Sequence, residues 1–468
     1  MMRTMAGAER FRAGTDLYFA RHDGEAATCE QFITAIEDGA GLDLTQFRAW
    51  YSQAGTPRVK AELAHEGDAV TLSLSQTVPA TPGQPDKQPT VIPLRLALFD
   101  RATGRHSGEQ LVVLDRAEMQ FVFTGFAAPP VMSLNRGFSA PVAIDAATSS
   151  ADLVFLAAHD DDPFARYEAM QQLVVQHLVG VVSGAAQTID RAAIRGAYAA
   201  VIADPALDDL MRGELLILPS EVYLAEQLAH SDPGAIHAAR EGLKGYLGAQ
   251  LRPELESLYA RVSAAPYNLG AAARGARKLK TLALVFLAAG APDLAAQLAA
   301  AQFDSADNMT DRQGALMVLA GLDTPLRADK LAAFHTRFAD NALVIDKWFS
   351  LQAGSLHADV LDHVRALADH PDFTMANPNR VRALYMAAAV NPGAFHDASG
   401  AGYAMIGDLI LALDPVNAQT AARFVAPLGR WRRIEPVRAA LMRAQLERLV
   451  TAPGLSKDTF EQVSKSLG

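Results

Sequence analysis

Three patterns of apolar spacing follow one another along the chain. Up to about Pro57, apolar residues recur every three or four positions, the period of an amphipathic helix. Three helices are predicted there. The first covers Met2–Arg21 and has no Ser, Thr, Asp or Asn before its first turn. A chain that starts inside a helix of something larger would look like this. The second opens on a capping box, Thr28-Cys29-Glu30-Gln31, and continues to Glu37. The third starts at Asp43 or Thr45, carries Phe47, Trp50 and Tyr51, and stops at Gly55. Three short helices make a weak core alone, so Met2, Met5, Phe11, Leu17, Phe47 and Trp50 are expected to expose apolar surface.

From Arg58 to about Ile144 the period changes to two. Val70, Leu72 and Leu74 alternate with Thr71 and Ser73, as in a half-buried strand. Further runs are Val91–Phe99, Leu111–Leu114, Met119–Phe123, Val131–Leu134 and Val142–Ile144. Pro79, Pro82, Gly83, Pro85, Gly104 and Gly108 mark the turns. Six or seven short strands without an intervening helix predict an antiparallel β-sandwich.

From about Ser149 to Gly468 the helical period returns. About seventeen helices of 10–16 residues are expected, separated by Pro, Gly and Asp. Asp162-Pro163 and Asp232-Pro233 each place an N-cap before a proline at the first helical position, and Pro292-Asp293 reads similarly. Successive helices with small alanine faces predict stacked pairs in a large superhelix of the armadillo/HEAT kind, without a clean sequence repeat. The fold class is therefore multidomain and mainly α, with parts at 1–57, 58–148 and 149–468. A length of 468 residues suits about three domains.

Charge narrows the partners. The chain has 42 basic and 52 acidic residues, formally −10, so it has no general attraction for nucleic acid or an anionic membrane surface. The dense basic cluster Arg430, Arg432 and Arg433 reads as a solvated helix end. No apolar stretch is long enough to span a membrane, and the alanine-rich run near Ala288–Ala301 is broken by Pro292 and Asp293. The one cysteine, Cys29, forbids an internal disulfide and fits a reducing cytoplasm. Beside acidic Glu30 it reads as a packed thiol rather than a nucleophile.

A catalytic constellation is missing. There is no H-E-x-x-H, no G-x-x-x-x-G-K-[ST] and no G-x-S-x-G. His65-Glu66 has no second histidine and reads as a hairpin tip. His357, Asp359, His363 and His370 are the densest histidine group. Their spacing puts His357 and His363 on different helix faces, so they read as surface residues. His159-Asp160-Asp161-Asp162 could hold a hard cation, but a capping loop before Pro163 explains the same residues. The segment Phe373–Arg382 carries a polar, proline-marked turn into a helix that Asn377 or Asn379 could cap. Arg380 and Arg382 lie two apart and point to different faces. One can pair structurally while the other projects into a cavity, where it could bind a peptide carbonyl or carboxylate; a salt-bridged helix start explains the same residues.

Several stretches carry a resemblance. Tyr18–Gly24, Ala27-Thr28-Cys29, Phe47–Pro57, Leu74–Thr77, Pro79–Gln84, Lys87-Gln88-Pro89, Phe138–Val142, Asn308–Asp311, Asp346–Phe349 and Phe373–Arg382, in that order, resemble the bacterial aminopeptidase N family of zinc aminopeptidases, of the gluzincin class. The resemblance runs from the first residues to Gly468. It implies that 1–57 are the last helices of a thermolysin-like catalytic domain, 58–148 its β-sandwich, and 149–468 a helical domain that closes over the catalytic cleft. The family's zinc-binding residues, catalytic Glu and transition-state Tyr would lie upstream and are not in this sequence. The resemblance therefore implies a C-terminal portion, non-catalytic alone and binding no zinc itself, of a cytoplasmic enzyme that removes N-terminal residues from peptides. An upstream catalytic fragment would be a partner. By the same resemblance, Arg382, Arg423 and Gln419 line the substrate channel, and Gln419 and Arg423 share a helix face. The alternative is a stand-alone helical module that binds peptides or a partner protein on its concave face.

Overall fold

The computed structural model describes residues 1–185, 189–263 and 267–468. Its contacts divide into two units, Met1–Gln172 and Leu173–Gly468.

The first unit begins with helices Met2–Ala6 and Ala8–His22. The expected single helix is interrupted at Gly7, whose φ of 79° lies in the left-handed region. The capping box forms as expected: the Thr28 side chain accepts from the Gln31 backbone N–H, and the Gln31 side chain accepts from that of Thr28. This helix, Cys29–Ala40, runs three residues past Glu37 and stops at left-handed Gly41. The third expected helix is one turn of 3₁₀, Gln46–Arg48, followed by Ala49–Ser52. Arg48 ties the group together, donating to Glu30 at 2.6 Å and Glu37 at 2.7 Å.

Phe47 is not exposed, as expected from the sequence, but 3% accessible. It packs with Ile33, Ile36, Ala40 and Leu44, and Met2, Met5, Phe11 and Trp50 lean on that cluster half-buried. Cys29 is exposed rather than packed. It is the first residue of its helix, one turn ahead of the apolar stripe that begins at Ile33.

Eight strands form two four-stranded sheets. One has the order β6-β2-β1-β8 (Glu118–Thr124, Ala69–Thr77, Arg58–Glu66, Ala143–Ala146). The other has β4-β3-β5 (Arg105–His106, Ile92–Asp100, Gln110–Leu114), with β7 (Val131–Leu134) also on β3. Pairing is antiparallel except between β1 and β8, which run parallel from Arg58 opposite Ala143. A parallel neighbour needs a crossover, and here it is the rest of the sandwich. Alternate residues Val70, Leu72 and Leu74 face Ile92, Leu94, Leu96, Val112 and Leu114 in the core.

Gln76 closes one end of the sandwich. Its buried amide donates to the carbonyls of Thr90, Leu114 and Arg116 and accepts from the Thr90 N–H at 2.9 Å. Beside it, three of the resembling stretches meet. Trp50 Nε1 donates to Val91 O at 2.8 Å, Gln53 and Gln88 exchange hydrogen bonds, and Lys87 donates to Ala54 O, Thr81 Oγ1 and Gln84 Oε1. The short helices are thus stitched to the sandwich by side chains replacing a missing backbone ladder.

Arg136 is the polar centre of this unit. Its buried guanidinium donates to Asp160 at 2.7 Å, Asp161 at 2.6 Å and Glu109 at 3.1 Å. Asp162 accepts from the Ala165 N–H at 2.8 Å and caps the helix Pro163–Val182. The acidic run is a capping loop, as the sequence indicates, and Arg136 supplies its counter-charge.

In the second unit, and in the helices leading into it from Ser150, there are twenty-one α-helices, one π-helical segment and one 3₁₀ segment among the described residues, against about seventeen helices expected. Part of the excess is one run, 378–390, split by five residues of π-helix, Arg382–Met386. Asp232 caps as expected, accepting from Gly234 and Ala235. Asp293 does not cap: Ala291 holds the N-cap position before Pro292. Helices Pro233–Gln250 and Ala271–Gly290 cross closely, for a Cβ at Gly248 would lie 2.0 Å from Phe286 O, and one at Gly290 2.2 Å from Ala249 N.

A device recurs at the joints. An arginine one turn inside a helix reaches back to a carbonyl at the end of an earlier helix or in the turn that follows one. Arg166 donates to Ala157 O at 2.8 Å, Arg212 to Val201 O at 3.2 Å, and Arg312 to Phe303 O at 3.3 Å. Arg380 donates to Asp372 O, and Arg438 to His396 O at 2.9 Å. Each supplies donors to carbonyls that the helix itself leaves open.

The last helices fold back onto earlier ones within this unit. Ser231 N donates to Arg433 O at 2.8 Å, and Glu435 N to Ser231 O at 2.9 Å. Arg432 and Arg433 are exposed, as a solvated helix end would be, but each is also tied down. Arg432 stacks on Trp431 and donates to Ser466 O and Leu467 O, closing the C-terminal helix Lys457–Leu467, while Arg433 donates to Leu228 O. No helix among the described residues is long and apolar enough to cross a membrane.

His396 sits at this closure, its Nδ1 2.7 Å from the Tyr403 hydroxyl. Burial first, and then the Arg438 charge, push its pKa down to about 4. The unfolded chain takes up this proton near its ordinary value of about 6.5. The contribution of neutral His396 is therefore complete above that pH and is lost as pH falls toward 4, in all about 3 kcal/mol. Urea denaturation at pH 7 and pH 4.5 is expected to show a smaller loss on acidification in His396→Gln than in the parent chain. An equal loss would remove His396 from the effect.

Candidate functional site

The turn that follows helix Val360–Ala368 positions two arginines with opposite roles. Asn377 caps the next helix by accepting from Asn379 N at 3.0 Å and Arg380 N at 3.4 Å, with Pro378 at the first helical position. Arg380 then points inward and is buried. Its Nε donates to Asp346 at 2.5 Å, its Nη2 to Ala342 O at 3.4 Å, and its Nη1 to Asp372 O, over the Phe349 ring at 4.9 Å. Arg382 lies on the other face, exposed, and donates to Asn379 Oδ1. The two diverge as their spacing predicts, and Arg380 makes the salt-bridged helix start. Arg382 also starts the π-helical turn Arg382–Met386, a local widening that re-aims side chains.

Gln419 and Arg423 both lie exposed on helix Ala418–Arg423, which Asn417 caps by accepting from Thr420 N at 2.9 Å. Arg423 has no hydrogen-bond or ion-pair partner among the described residues. The two arginine segments share a root: Val381, Ala421 and Phe424 belong to one buried cluster with Tyr403, Ile406 and Ile410. Arg382, Gln419 and Arg423 therefore emerge from one packed body, but no hydrogen bond or ion pair joins them.

The histidines sort differently from their order in sequence. His357 and His363 both bond Asp359, His363 at 3.0 Å, and Arg327 reaches the same carboxylate at 3.4 Å. They do not lie on different faces of a helix, because the helix starts only at Val360 and His357 precedes it. Burial raises the Asp359 pKa, but Arg327 and His357 outweigh it and hold the carboxyl below the usual range. His370 joins His335 and Asp372 instead, under the Trp348 ring. That partner, 35 residues earlier, carries no signal in the local sequence.

Two groups of side chains among the described residues converge closely enough to hold a metal: His335, His370 and Asp372, and Glu221, His237 and Glu241. Neither fits a hydrolytic zinc centre. In the first, His370 Nδ1 accepts from Asp372 N at 3.1 Å, which leaves the proton on its other nitrogen, and His335 Nε2 is bonded to Asp372 Oδ2 at 2.6 Å. The His370 pKa is lowered by burial, aided by the His335 and Arg380 charges. In the second, Lys244 and Arg240 already neutralise Glu241 and would repel a divalent ion.

Comparison with known proteins places these residues in a wider frame. Residues 150–468 match the family model described as "Domain of unknown function (DUF3458_C) ARM repeats", and 55–147 one described as "Domain of unknown function (DUF3458) Ig-like fold". The chain is 38% identical over 480 residues to aminopeptidase N of Escherichia coli K12 and 42% identical over 474 residues to aminopeptidase N of Caulobacter vibrioides. Each alignment covers 100% of this chain and 55% of the relative. It superposes with a TM-score of 0.84 and 27% identity on Legionella pneumophila aminopeptidase A in complex with aspartic acid, over 100% of this chain and 55% of that one. The chain spans about half the length of the curated relatives it matches.

Truncating the two arginines should separate their roles. Arg380→Met leaves the half-buried Asp346 without its counter-charge and is expected to destabilise by about 3 kcal/mol. Arg382→Ala and Arg423→Ala, both exposed, should stay within about 0.5 kcal/mol of the parent. Urea midpoints at pH 7 measure all three. Equal losses would contradict this assignment.

Proposed function

The chain belongs to the bacterial aminopeptidase N family, and from that membership we propose that it is the C-terminal portion of an enzyme that removes N-terminal residues from peptides. Residues 1–57 would be the last helices of a thermolysin-like catalytic domain, 58–148 its β-sandwich, and 149–468 the helical domain that lines the way to the active site. The zinc ligands and general base would come from the part of the family's length that this chain does not span. When bound there, zinc would polarise the scissile carbonyl. Nothing in that step uses a residue of this chain.

What these residues would contribute is access and orientation. An unpaired, exposed guanidinium is a ready partner for a carboxylate or a peptide carbonyl. Arg423, with Gln419 one helical turn away, would hold the trailing backbone of a peptide, and Arg382 its C-terminal carboxylate. Binding energy taken up far from the scissile bond lowers KM or, where it orients the substrate, raises kcat. A cytoplasmic location would give the enzyme its supply of short peptides. The observation that carries this reading is the alignment of the whole chain with 55% of the length of aminopeptidase N, at about two identical residues in five.

A second reading has one observation in its favour. The N-terminal helices bury a core of their own around Phe47 and Ile36, which a self-sufficient peptide- or protein-binding module would need.

The purified chain is expected to show no turnover of an alanyl or arginyl chromogenic amide, and far less than one zinc per molecule by atomic emission on the same sample. Chelator-sensitive turnover with about one bound zinc per chain, once contaminating full-length enzyme is excluded, would overturn the assignment of catalysis to the absent part.

A further inference from the structure

Helices Arg252–Ser263, Ala271–Gly290 and Pro292–Ser305, with the start of Met309–Ala320, surround a cavity of about 250 Å³. That is the volume of several water molecules at about 30 Å³ each, enough for a molecule the size of an amino acid. Its wall is polar and firmly held. Gln302 Nε2 donates to Asp311 O at 2.8 Å, and Gln302 Oε1 accepts from the Tyr259 hydroxyl at 3.0 Å. Asn308 Nδ2 donates to Asp307 at 2.9 Å and to Asp311 at 3.1 Å, and Lys280 pairs with Asp311 at 2.9 Å.

Arg277 stands apart on this wall. It is 9% accessible and stacks on Tyr267 at 4.8 Å. Its guanidinium has one hydrogen bond, to Asn268 O at 2.9 Å, and no carboxylate within salt-bridge reach among the described residues. The other buried arginines of the unit are better satisfied: Arg212 reaches three carbonyls and Asp209, and Arg380 two carbonyls and Asp346. A buried cation with five N–H groups and one partner, bordering open volume, calls for an anion.

The rest of the wall says which kind. Arg277 and Lys280 are balanced by Asp307 and Asp311. A bare anion such as phosphate gains Arg277 but meets two carboxylates. A zwitterion meets complementary charge at both ends. We propose that this cavity binds a free α-amino acid, its carboxylate on the Arg277 fork and its ammonium toward Asp307. The site is independent of any zinc chemistry and of the channel arginines.

The test is a calorimetric titration of the intact chain with L-alanine and L-leucine, alongside acetate, methylammonium and inorganic phosphate as single-charge probes. Saturable one-to-one binding of at least one amino acid by roughly 10 mM is expected, since a Kd near 1 mM would then be saturated. Acetate, methylammonium and phosphate should each bind at least about tenfold more weakly. Arg277→Gln should weaken the amino acid by about tenfold or more, with an unchanged melting temperature. Should that variant fail to fold, Asp307→Asn at the exposed rim tests the other end, weakening the amino acid but not acetate. Absence of saturable binding, phosphate or acetate binding as tightly as the amino acids, or affinity unmoved by these variants would each overturn the proposal.

Discussion

A helix that ends inside a protein leaves carbonyls without donors, and a chain of more than twenty helical segments meets this problem at every joint. Here arginines solve it repeatedly. Arg166, Arg212, Arg312 and Arg380 are all buried, each one turn into its own helix, and each donates back to the chain segment that precedes it. The arrangement costs a cation near a helix N-terminus, where the dipole is unfavourable, and is offset by hydrogen bonds from a charged donor. It also fixes the angle between successive helices, because a planar fork with several partners tolerates little rotation. Arg136 performs the equivalent task beside the sandwich, with three carboxylates in place of carbonyls.

This device explains why the superhelix shows no clean repeat in sequence. What recurs is one arginine three or four residues after a capping Asp, Asn or Glu, and apolar positions can drift around it. Asp162 and Arg166, Asp208 and Arg212, Asn308 and Arg312, Asn377 and Arg380, and Glu435 and Arg438 all follow that spacing. The signal is local and was readable, but it looks like ordinary capping until the carbonyl at the far end is known. Strong local features transferred well to the structure: the Thr28 capping box, the Asp232-Pro233 start and the alternation of Val70, Leu72 and Leu74. Features that depend on distant partners did not. The parallel pairing of β1 with β8 joins residues 85 positions apart, and Phe47 is buried by helices whose packing no single window reveals.

The site was legible to a similar degree. The spacing of Arg380 and Arg382 was enough to place them on different faces, since residues two apart on a helix diverge. It could not name Asp346 as the inward partner, 34 residues away. That Arg423 shares a face with Gln419 follows from their four-residue offset, whereas the role suggested for both rests on family membership. The Arg277 cavity was invisible in the sequence, because four separate segments build it and its distinguishing property is a carboxylate that is not there.

On the proposed reading, the chain would divide labour with the half of the family's length that it does not span: scaffold and access on one side, bond-breaking on the other. The most direct test is to exchange this chain for the matching part of a full-length relative and measure kcat and KM for an aminoacyl chromogenic amide and for a tetrapeptide. The account predicts an active chimera in which Arg382→Ala with Arg423→Ala raises KM for the tetrapeptide about tenfold and leaves the amide unchanged. A chimera that is folded and active but indifferent to both arginines, or one in which the amide is impaired as much as the peptide, would contradict it.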